Sequence, residues 1–252
     1  MKILYISYYF PPFRSIGGQR AYGQYEVLKN AGNNVKVITC ASQRLLKDES
    51  MSLDDNSDII YMHSIKDINL NSPRRFQRLK SYIFKLPKFI IRNLLLIKFL
   101  KNNFLEESNW SSDVLSNVRE RLGNWKPDLI ISSFSPIDSH YIASKLKSDF
   151  NCYWFAEYRD NFSFNTMAFS TRKNELLSIL LRRFEKKILY NCDLIVGVTP
   201  FISKYYESYF HKDTITVYGG WDSDLRKKNI PNPFKMNSIN VLHCGSMLYG
   251  SR

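Results

Sequence analysis

The sequence contains few cysteines, few histidines and few glycines, and each shortage excludes a class of protein. Four cysteines in 252 residues, none in a Cys-x-x-Cys pair, exclude a small disulfide-bonded scaffold. The four histidines show no metal-ligand spacing with a cysteine or an acid. With 44% apolar residues and only 10 glycines, the chain is neither disordered nor collagen-like. We therefore expect a packed core, in which Cys40, Cys152, Cys192 and Cys244 are buried thiols.

The N-terminus lacks the features of a secretory signal. Met1–Ser7 has one early cation but neither a long apolar region nor a small-residue cleavage site, so we expect a cytoplasmic protein. Acidic residues are also in deficit, because 36 Lys and Arg face 23 Asp and Glu and leave a formal net charge of +13. This balance favours an anionic partner.

Apolar runs of strand length recur along the chain, separated by helical patterns. Their hydrophobicity is nearly continuous rather than alternating, which indicates strands covered on both faces. The sequence therefore predicts an α/β fold with a doubly wound, mostly parallel, Rossmann-like sheet. The predicted strands are Lys2–Tyr8, Val35–Thr39, Asp58–His63, Asp128–Ser133, Asn151–Ala156, Asp193–Val198 and Thr214–Val217.

Two of the helices between these strands can be placed from their apolar spacing. Ala21, Tyr25 and Leu28 fall at i, i+4 and i+7 and form one stripe, and Gly32 supplies a left-handed residue that ends this helix. A second amphipathic helix is predicted over 177–188.

A change of composition near residue 220 marks a domain boundary. Polar residues and two prolines fill 220–238, and a new strand pattern begins at Ile239. We predict a Rossmann-like N-terminal domain over 1–219, a linker over 220–238, and the first strand of a truncated C-terminal domain over 239–252.

A basic and apolar segment between Asp67 and Glu106 contains no acidic residue. Its mixture of cations, aromatic and aliphatic residues suits the surface of an anionic membrane, with Lys85, Lys88 and Arg92 at its centre. Its apolar run of about a dozen residues is too short to span a bilayer. A core-packed helix with a solvated basic side is the alternative, and nucleic-acid binding fits least because the aliphatic runs carry no stacking groups. The nine cations are Arg74, Arg75, Arg78, Lys80, Lys85, Lys88, Arg92, Lys98 and Lys101.

Two adjacent glycines, Gly17 and Gly18, follow the first strand and open the first helix. Glycines in that position let backbone N–H groups approach an anion, and the helix dipole favours negative charge. Arg14 and Arg20 are candidate charge partners for such an anion. A plain turn is the alternative, because two glycines alone are not a dinucleotide-binding fingerprint.

These glycines are one of a series of motifs that keep a fixed order along nearly the whole chain. The others are Pro11-Pro12 before them, Lys126–Ser133, Ser135-Pro136, Ala156–Asp160, Phe184–Ile195, Val198–Pro200 and Val241–Gly250. In this order they resemble the N-terminal half of the family 4 glycosyltransferases of the two-Rossmann-domain, or GT-B, type.

The resemblance implies the transfer of a sugar from a nucleotide-sugar donor to an acceptor hydroxyl, with retention at the anomeric carbon. No enzyme nucleophile, bound cofactor or metal is implied, because the leaving diphosphate accepts the proton of the acceptor. Together with the basic segment, the resemblance suggests a lipid-linked or cell-envelope glycan acceptor at the inner face of the cytoplasmic membrane, and no nucleic-acid partner. We expect the chain to lack the C-terminal domain that carries the nucleotide in this family. That absence leaves open a separate C-terminal half, or a non-catalytic module that docks on a membrane or a partner.

The resemblance also places candidate site residues at the carboxyl ends of the strands. Arg159 and Asp160 follow an apolar strand and are the candidate catalytic residues, with a structural Arg–carboxylate pair as the alternative. The candidate substrate- and donor-binding residues are Gly17, Gly18, Arg20, Glu157, His140 and Gly245.

Two polar helix residues are open to more than one interpretation. His140 lies at the start of a helix, where a contact with donor or acceptor competes with a surface or capping role. Glu185 lies beside two lysines, and we expect it to be solvated.

Overall fold

A computed structural model describes residues 1–13, 15–41, 57–63, 108–163 and 175–220, apart from the side chains of 108 and 175–177. Arg14, Gly245, the basic segment with Lys85, Lys88 and Arg92, and residues 221–252 lie outside these ranges. The chain divides into two units, Met1–Tyr218 and Gly219–Arg252, and every element below belongs to the first unit. The linker over 220–238 and the truncated strand over 239–252 stay predictions.

Seven parallel strands form one sheet in the order β3-β2-β1-β4-β5-β6-β7. Each coincides with one of the apolar runs, so the predicted α/β, Rossmann-like fold is confirmed. The strands are β1 Lys2–Ser7, β2 Asn34–Cys40, β3 Ile59–Met62, β4 Leu129–Ser133, β5 Tyr153–Tyr158, β6 Leu194–Gly197 and β7 Thr214–Thr216.

Five α-helices of the described residues join and cover these strands. They are α1 Ile16–Asn30, α2 Ser108–Leu122, α3 Asp138–Phe150, α4 Glu175–Ile188 and α5 Pro200–Phe210, with a short 3₁₀ turn over Leu189–Asn191. No described helix is long and apolar enough to cross a membrane.

The sheet is buried on both faces, which explains why its strands are apolar throughout. Tyr5 and Val37 pack under Ala21 and Tyr25 of α1 on one face. On the opposite face, residues from β1, β4 and β5 pack against α2, α3, α4 and α5 around the buried indole of Trp154. Burial of aromatic and aliphatic area on both faces is the main source of stability for this architecture.

The ends of α1 follow from local sequence. Ser15 adopts an extended backbone and its Oγ accepts the Gly18 N–H at 2.8 Å, which caps the first turn. At the other end, Gly32 has φ 81°, the left-handed conformation that glycine adopts without steric cost. The predicted stop at Gly32 is confirmed.

The prediction that the cysteines are buried thiols agrees with the three cysteines that the structure describes. Cys40 and Cys192 are buried, Cys152 is half-buried, and all three are free thiols. Burial raises the pKa of Cys152 to about 11 and that of Cys192 to about 12. Both thiols are therefore protonated and unreactive at neutral pH.

The expectation that Glu185 is solvated is wrong. Its side chain is 0% exposed, because its face of α4 packs against α5, where Tyr206 Oη donates to Glu185 Oε1 at 2.7 Å. The two neighbouring lysines point to solvent instead. Sequence proximity to charge did not reveal which face of the helix the carboxyl occupies.

Candidate functional site

The strand order reverses between β1 and β4, which are neighbours at the centre of the sheet. In doubly wound sheets, ligands bind beyond the carboxyl ends of the strands at such a reversal, because the connections on either side leave in opposite directions. Helix α1 begins there, just after β1. The position beyond the ends of β1 and β4 is flanked by residues 134–137, which follow β4, and by the end of β5.

Gly17 and Arg159 meet at this point, although 141 positions separate them in the sequence. A Cβ placed on Gly17 would lie 2.6 Å from Nη1 of Arg159, 3.2 Å from Nη2 and 3.4 Å from Cζ. Arg159 follows β5, which lies two strands from β1 and is therefore about 10 Å away at ordinary strand spacing. Its side chain thus reaches past the end of β4 to the first turn of α1.

A backbone carbonyl fixes the course of the Arg159 side chain. Arg159 Nε donates to the carbonyl oxygen of Phe134 at 2.7 Å, just after β4. Among the described residues, Nη1 and Nη2 have no hydrogen-bond partner and form no ion pair. The guanidinium is half-buried, and Asp160 beside it is exposed. A cation and a carboxylate are thus presented side by side at the edge of the sheet.

Glu157 lies two residues earlier on the same face of β5 and is engaged with α1. Its Oε1 accepts from Arg20 Nη2 at 2.8 Å and Nε at 3.1 Å, and from Gln24 Nε2 at 2.7 Å. The Glu157 side chain is only 3% exposed, whereas that of Arg20 is 23% exposed. Its Oε2 is buried and has no hydrogen-bond partner among the described residues. The structure therefore contains an Arg–carboxylate pair, but it joins Arg20 to Glu157 and leaves Arg159 out.

Tyr5 completes this buried polar network beneath α1. Burial first, and then the carboxylate of Glu157, raise the pKa of Tyr5 well above its ordinary value. The phenol is therefore a hydrogen-bond donor at neutral pH, and Tyr5 Oη donates to Gln24 Oε1. With its oxygen facing Tyr5, the Gln24 amide presents its NH₂ to Glu157. The chain of donors thus fixes α1 against β1 and β5 at once.

Two backbone N–H groups in the first turn of α1 have no hydrogen-bond partner among the residues that the structure describes. The first four N–H groups of a helix have no acceptor within it, and Ser15 Oγ takes that of Gly18. The Gln19 N–H bonds the Ser15 carbonyl at 3.0 Å. The N–H groups of Ile16 and Gly17 are left at the end of the helix where the macrodipole is positive. Gly17, in this turn, is the residue that meets the Arg159 guanidinium.

His140 is a core residue rather than part of this edge. Its ring is 0% exposed and packs 4.5 Å from the Tyr158 ring between centroids, and its Nδ1 shares a 2.7 Å hydrogen bond with Ser132 Oγ. Trp154 Nε1 donates to the same hydroxyl at 2.7 Å. Burial lowers the pKa of His140 to about 3, so the imidazole is neutral at neutral pH. The structure thus gives it neither the surface role nor the capping role weighed from sequence. Its Nε2 is buried and has no hydrogen-bond partner among the described residues, and its contact with donor or acceptor stays a prediction.

Sequence reasoning missed Tyr5, Gln24 and the Phe134 carbonyl. A signal for Gln24 was present, since Gly17, Arg20 and Gln24 fall at i, i+3 and i+7 and share one face of α1. This polar stripe lies next to the apolar stripe that predicted the helix. No local pattern could have identified the Phe134 carbonyl, because its role depends on where β4 ends relative to β5.

The described residues offer no competing site of equal quality. No group of three or more His, Cys, Asp or Glu residues in the described ranges is arranged to hold a metal ion. A polar groove lined by Lys145, Asp149, Lys187, Tyr190 and Asn191 lies at the amino edge of the sheet, where the helices end. Two of its polar groups are already engaged, since Asp149 pairs with Arg119 at 2.9 Å and Asn191 bonds the backbone of α3. The carboxyl edge is therefore the candidate site.

Comparison with known proteins supports the fold. The chain is similar to a sucrose-phosphate synthase from Thermosynechococcus elongatus, with a TM-score of 0.55 and 16% identity over 89% of this chain and 49% of that one. It is also similar to Arabidopsis thaliana UGT89C1 complexed with UDP-L-rhamnose, with a TM-score of 0.45 and 11% identity over 86% of this chain and 51% of that one. The second likeness is too slight to carry an argument.

The chain spans about half the length of these solved structures. No protein-family model and no curated protein matches its sequence. At 16% identity the first likeness supports a GT-B fold and nothing finer about family or chemistry.

Proposed function

We propose that this chain is the acceptor-side lobe of a family 4 glycosyltransferase that transfers a sugar from a nucleotide-sugar with retention at the anomeric carbon. The observation that carries the proposal is the meeting of Gly17 and Arg159 beside the β1/β4 reversal. Ligands of doubly wound sheets bind at this position, and the chain presents there a guanidinium whose Nη1 and Nη2 have no partner among the described residues.

The donor diphosphate is the group that this corner suits. Nη1 and Nη2 of Arg159 lie next to Gly17 in the first turn of α1, so we expect a bidentate cation and a helix N-terminus to face the same volume. Negative charge grows on the diphosphate as the glycosidic bond breaks. Donors that are already in place when this charge develops lower the barrier, because they need no reorganisation.

Asp160 is proposed to orient the acceptor hydroxyl or a sugar hydroxyl. Its carboxylate is exposed and directly follows Arg159. A hydrogen bond from a substrate hydroxyl would hold the reacting oxygen close to the anomeric carbon, and such positioning accounts for much of the rate in reactions without an enzyme nucleophile. The acceptor proton passes to the leaving diphosphate, so no residue of this lobe need become covalently linked to sugar.

The nucleotide contacts are assigned to a second lobe, supplied by another chain or by further sequence. The sucrose-phosphate synthase structure that resembles this chain is about twice as long. The activity, the donor and the lipid-linked or cell-envelope glycan acceptor are therefore proposals for the assembled enzyme rather than for this chain alone.

The test is a transfer assay in which a panel of radiolabelled nucleotide-sugars is offered with lipid-linked acceptors, with and without a supplied C-terminal half. In the active combination, Arg159→Ala should lower kcat/KM by at least about 100-fold, as expected for the loss of a charge-assisted donor to the transition state. Arg119→Ala is the matched control, because Arg119 is an exposed arginine on α2. Absence of both transfer and donor hydrolysis in every combination would overturn the proposal.

A non-catalytic role at the membrane is the second candidate, and the nine cations between Asp67 and Glu106 favour it. Lys85, Lys88 and Arg92 lie outside the described residues, so this role rests on the sequence alone. Sedimentation with anionic liposomes should weaken as salt is raised, and should weaken again when these three residues are replaced by Gln. Pelleting that both changes leave intact would rule out electrostatic docking. A chain that pellets but supports no transfer would favour the module over the enzyme.

A further inference from the structure

We infer that Gly17 is a positioning residue that acts through Arg159: its missing side chain is the space that the guanidinium occupies. The inference rests on the proposed function, because Arg159 is there the cation that faces the donor diphosphate. It gives Gly17 a role different from the close approach of its own backbone to the anion.

The first support is steric. A Cβ at Gly17 would lie 2.6 Å from Arg159 Nη1, closer than real Cβ atoms approach other heavy atoms, and 3.2 Å from Nη2. The guanidinium is the far end of a flexible side chain, so it would have to shift, and the shift would disturb the 2.7 Å bond from Arg159 Nε to the Phe134 carbonyl. Any side chain at Gly17 would therefore push the guanidinium out of its place.

The second support is that the backbone at Gly17 does not itself require glycine. Gly32 and Gly123 have positive φ values of 81° and 55° and open space around them, so their conformation explains them. Gly17 has a helical backbone in the first turn of α1. Glycine is a poor helix former, so the reason for glycine at this position is the contact with Arg159 rather than the chain geometry.

The third support is that α1 is held against β5, so that the contact cannot relax by a shift of the helix. Arg20 and Gln24, three and seven residues after Gly17, both bond Glu157 Oε1 on β5. Glu157 lies near the end of β5, and Arg159 follows that strand two residues later. The Glu157 bonds therefore set the spacing at which the first turn of α1 meets the Arg159 side chain.

A double-mutant cycle tests the inference in the full chain, with inorganic pyrophosphate as the probe and calorimetric titration at low salt as the readout. Gly17→Ala and Arg159→Ala should each weaken pyrophosphate binding at least tenfold. The double variant should bind no more weakly than Arg159→Ala alone, because Gly17 has nothing to position once the guanidinium is gone. Gly23→Ala, on the same helix with nothing within 4 Å of the new Cβ, should leave binding unchanged.

Three results would overturn the inference. These are no pyrophosphate binding by the wild-type chain, unchanged binding in Gly17→Ala, and a double variant whose loss equals the product of the two single losses. The last would mean that Gly17 acts through its own backbone, independently of Arg159.

Unfolding free energies supply a readout that needs no ligand. Gly17→Ala should stabilise the Arg159→Ala chain, as Gly23→Ala does in either background, because alanine is the better helix former once the space is free. In the wild-type chain the displacement of the guanidinium offsets that gain, so Gly17→Ala should stabilise it less. Equal stabilisation by Gly17→Ala in both backgrounds would refute the steric contact.

The proposed function and the inference about Gly17 can fail independently of each other. Non-additive pyrophosphate binding without sugar transfer would refute only the proposed function, whereas transfer together with independent effects of Gly17 and Arg159 would refute only the inference.

Discussion

At the scale of single residues, two arginines near the candidate site have different tasks. Arg20 is bound to the buried carboxylate of Glu157, whereas Arg159 is held by a carbonyl and keeps two nitrogens without a described partner. Removing one member of a buried ion pair leaves the other charge unpaired in a poorly solvated place. The loss of stability depends on whether Arg20 or Glu157 remains, because the two side chains are buried to different extents.

Arg20→Met should therefore destabilise the protein more than Glu157→Gln. Arg20→Met leaves a carboxylate that is 3% exposed without its cation, and we expect a loss of about 3 kcal/mol in the free energy of unfolding at pH 7. Glu157→Gln leaves an arginine that is 23% exposed and reaches solvent, so a loss of about 1 kcal/mol is expected.

Urea denaturation at pH 7 measures both losses. Arg119→Met serves as the control, because its pair with Asp149 is 69% and 39% exposed and such surface pairs contribute less than about 1 kcal/mol. Equal losses for the Arg20 and Glu157 variants would show that the difference in burial does not govern the pair.

His140 should make the folded protein less stable in mild acid. Burial lowers the pKa of His140 to about 3, while an unfolded chain binds the proton near the ordinary value of 6.5. Between these values the unfolded state binds more protons, so stability present above pH 6.5 is lost as the pH falls. From pH 7 to pH 5, protonation of this residue in the unfolded chain lowers the free energy of unfolding by about 2 kcal/mol.

Comparison of His140→Asn with wild type isolates this effect. The variant is expected to be less stable than wild type at pH 7, because it loses the packing of the ring. Between pH 7 and pH 5, however, its free energy of unfolding should fall by about 2 kcal/mol less than that of the wild type. His63→Asn, at an exposed histidine, should keep the wild-type pH dependence. In the wild-type protein, an imidazole proton resonance of His140 that titrates near pH 6.5 would contradict the prediction directly.

At the scale of secondary-structure elements, α4 and α5 are joined by a buried carboxyl. Tyr206 on α5 donates to Glu185 on α4, and the Tyr158 and Tyr206 rings stack with 4.1 Å between centroids. Burial raises the pKa of Glu185, and the hydroxyls of Ser163, Tyr206 and Tyr158 oppose that rise without cancelling it. The folded state therefore binds a proton on Glu185 at pH values where the unfolded chain has released it.

The stability of Glu185→Gln relative to that of the wild type should increase as the pH rises. With a raised pKa in the folded state, wild-type stability is complete below the ordinary carboxyl range and falls as the pH rises through the folded value. Glutamine is neutral throughout and keeps an oxygen for Tyr206, so the stability of the variant relative to wild type should be higher at pH 8 than at pH 5. Urea midpoints at the two pH values measure the difference.

The exposed Glu207→Gln on α5 is the comparison variant and should track the wild type at both pH values. A Glu185→Gln chain whose deficit is the same at pH 5 and pH 8 would mean that burial does not control ionisation of this carboxyl.

At the scale of the whole molecule, one sheet holds together residues that are far apart in the sequence. The order β3-β2-β1-β4-β5-β6-β7 brings the end of β1 near that of β5, and so Gly17 near Arg159. The core residues on both faces of the sheet lie between Ile3 and Phe210. Folding of the sheet and assembly of the candidate site are therefore one event.

A chain that ends at Tyr218 should still fold cooperatively, because it keeps the core on both faces of the sheet. Far-UV circular dichroism during urea unfolding should show one sigmoidal transition. A chain cut after Cys192 is the contrasting variant, because it loses β6, α5 and β7 with the core residues Ile195, Tyr206 and Phe210. We expect no cooperative transition from the shorter chain. If the longer chain also lacked one, residues after Tyr218 would be necessary for folding.

The sequence by itself determined the sheet and the limits of α1. Continuous apolar runs record burial on both faces, and that burial is needed wherever a parallel strand lies between helices. The limits of α1 follow from contacts within a few residues, such as Ser15 with Gly18 and the positive φ of Gly32. Information of this kind is local, so it can be read without knowing which strands are neighbours. It also placed the glycine turn and Arg159 at the same edge of the sheet.

Only the tertiary structure decided which side chains at that edge bind one another. Arg20 and Glu157 are 137 residues apart, and their pairing depends on the β1-β4-β5 order and on how α1 lies across it. The same holds for His140 and Glu185, whose burial depends on which helix face meets the sheet or a neighbouring helix. Charge and polarity show that a residue needs a partner, but the partner is set by long-range packing, because electrostatic and hydrogen-bond energies depend on distance in space rather than in sequence.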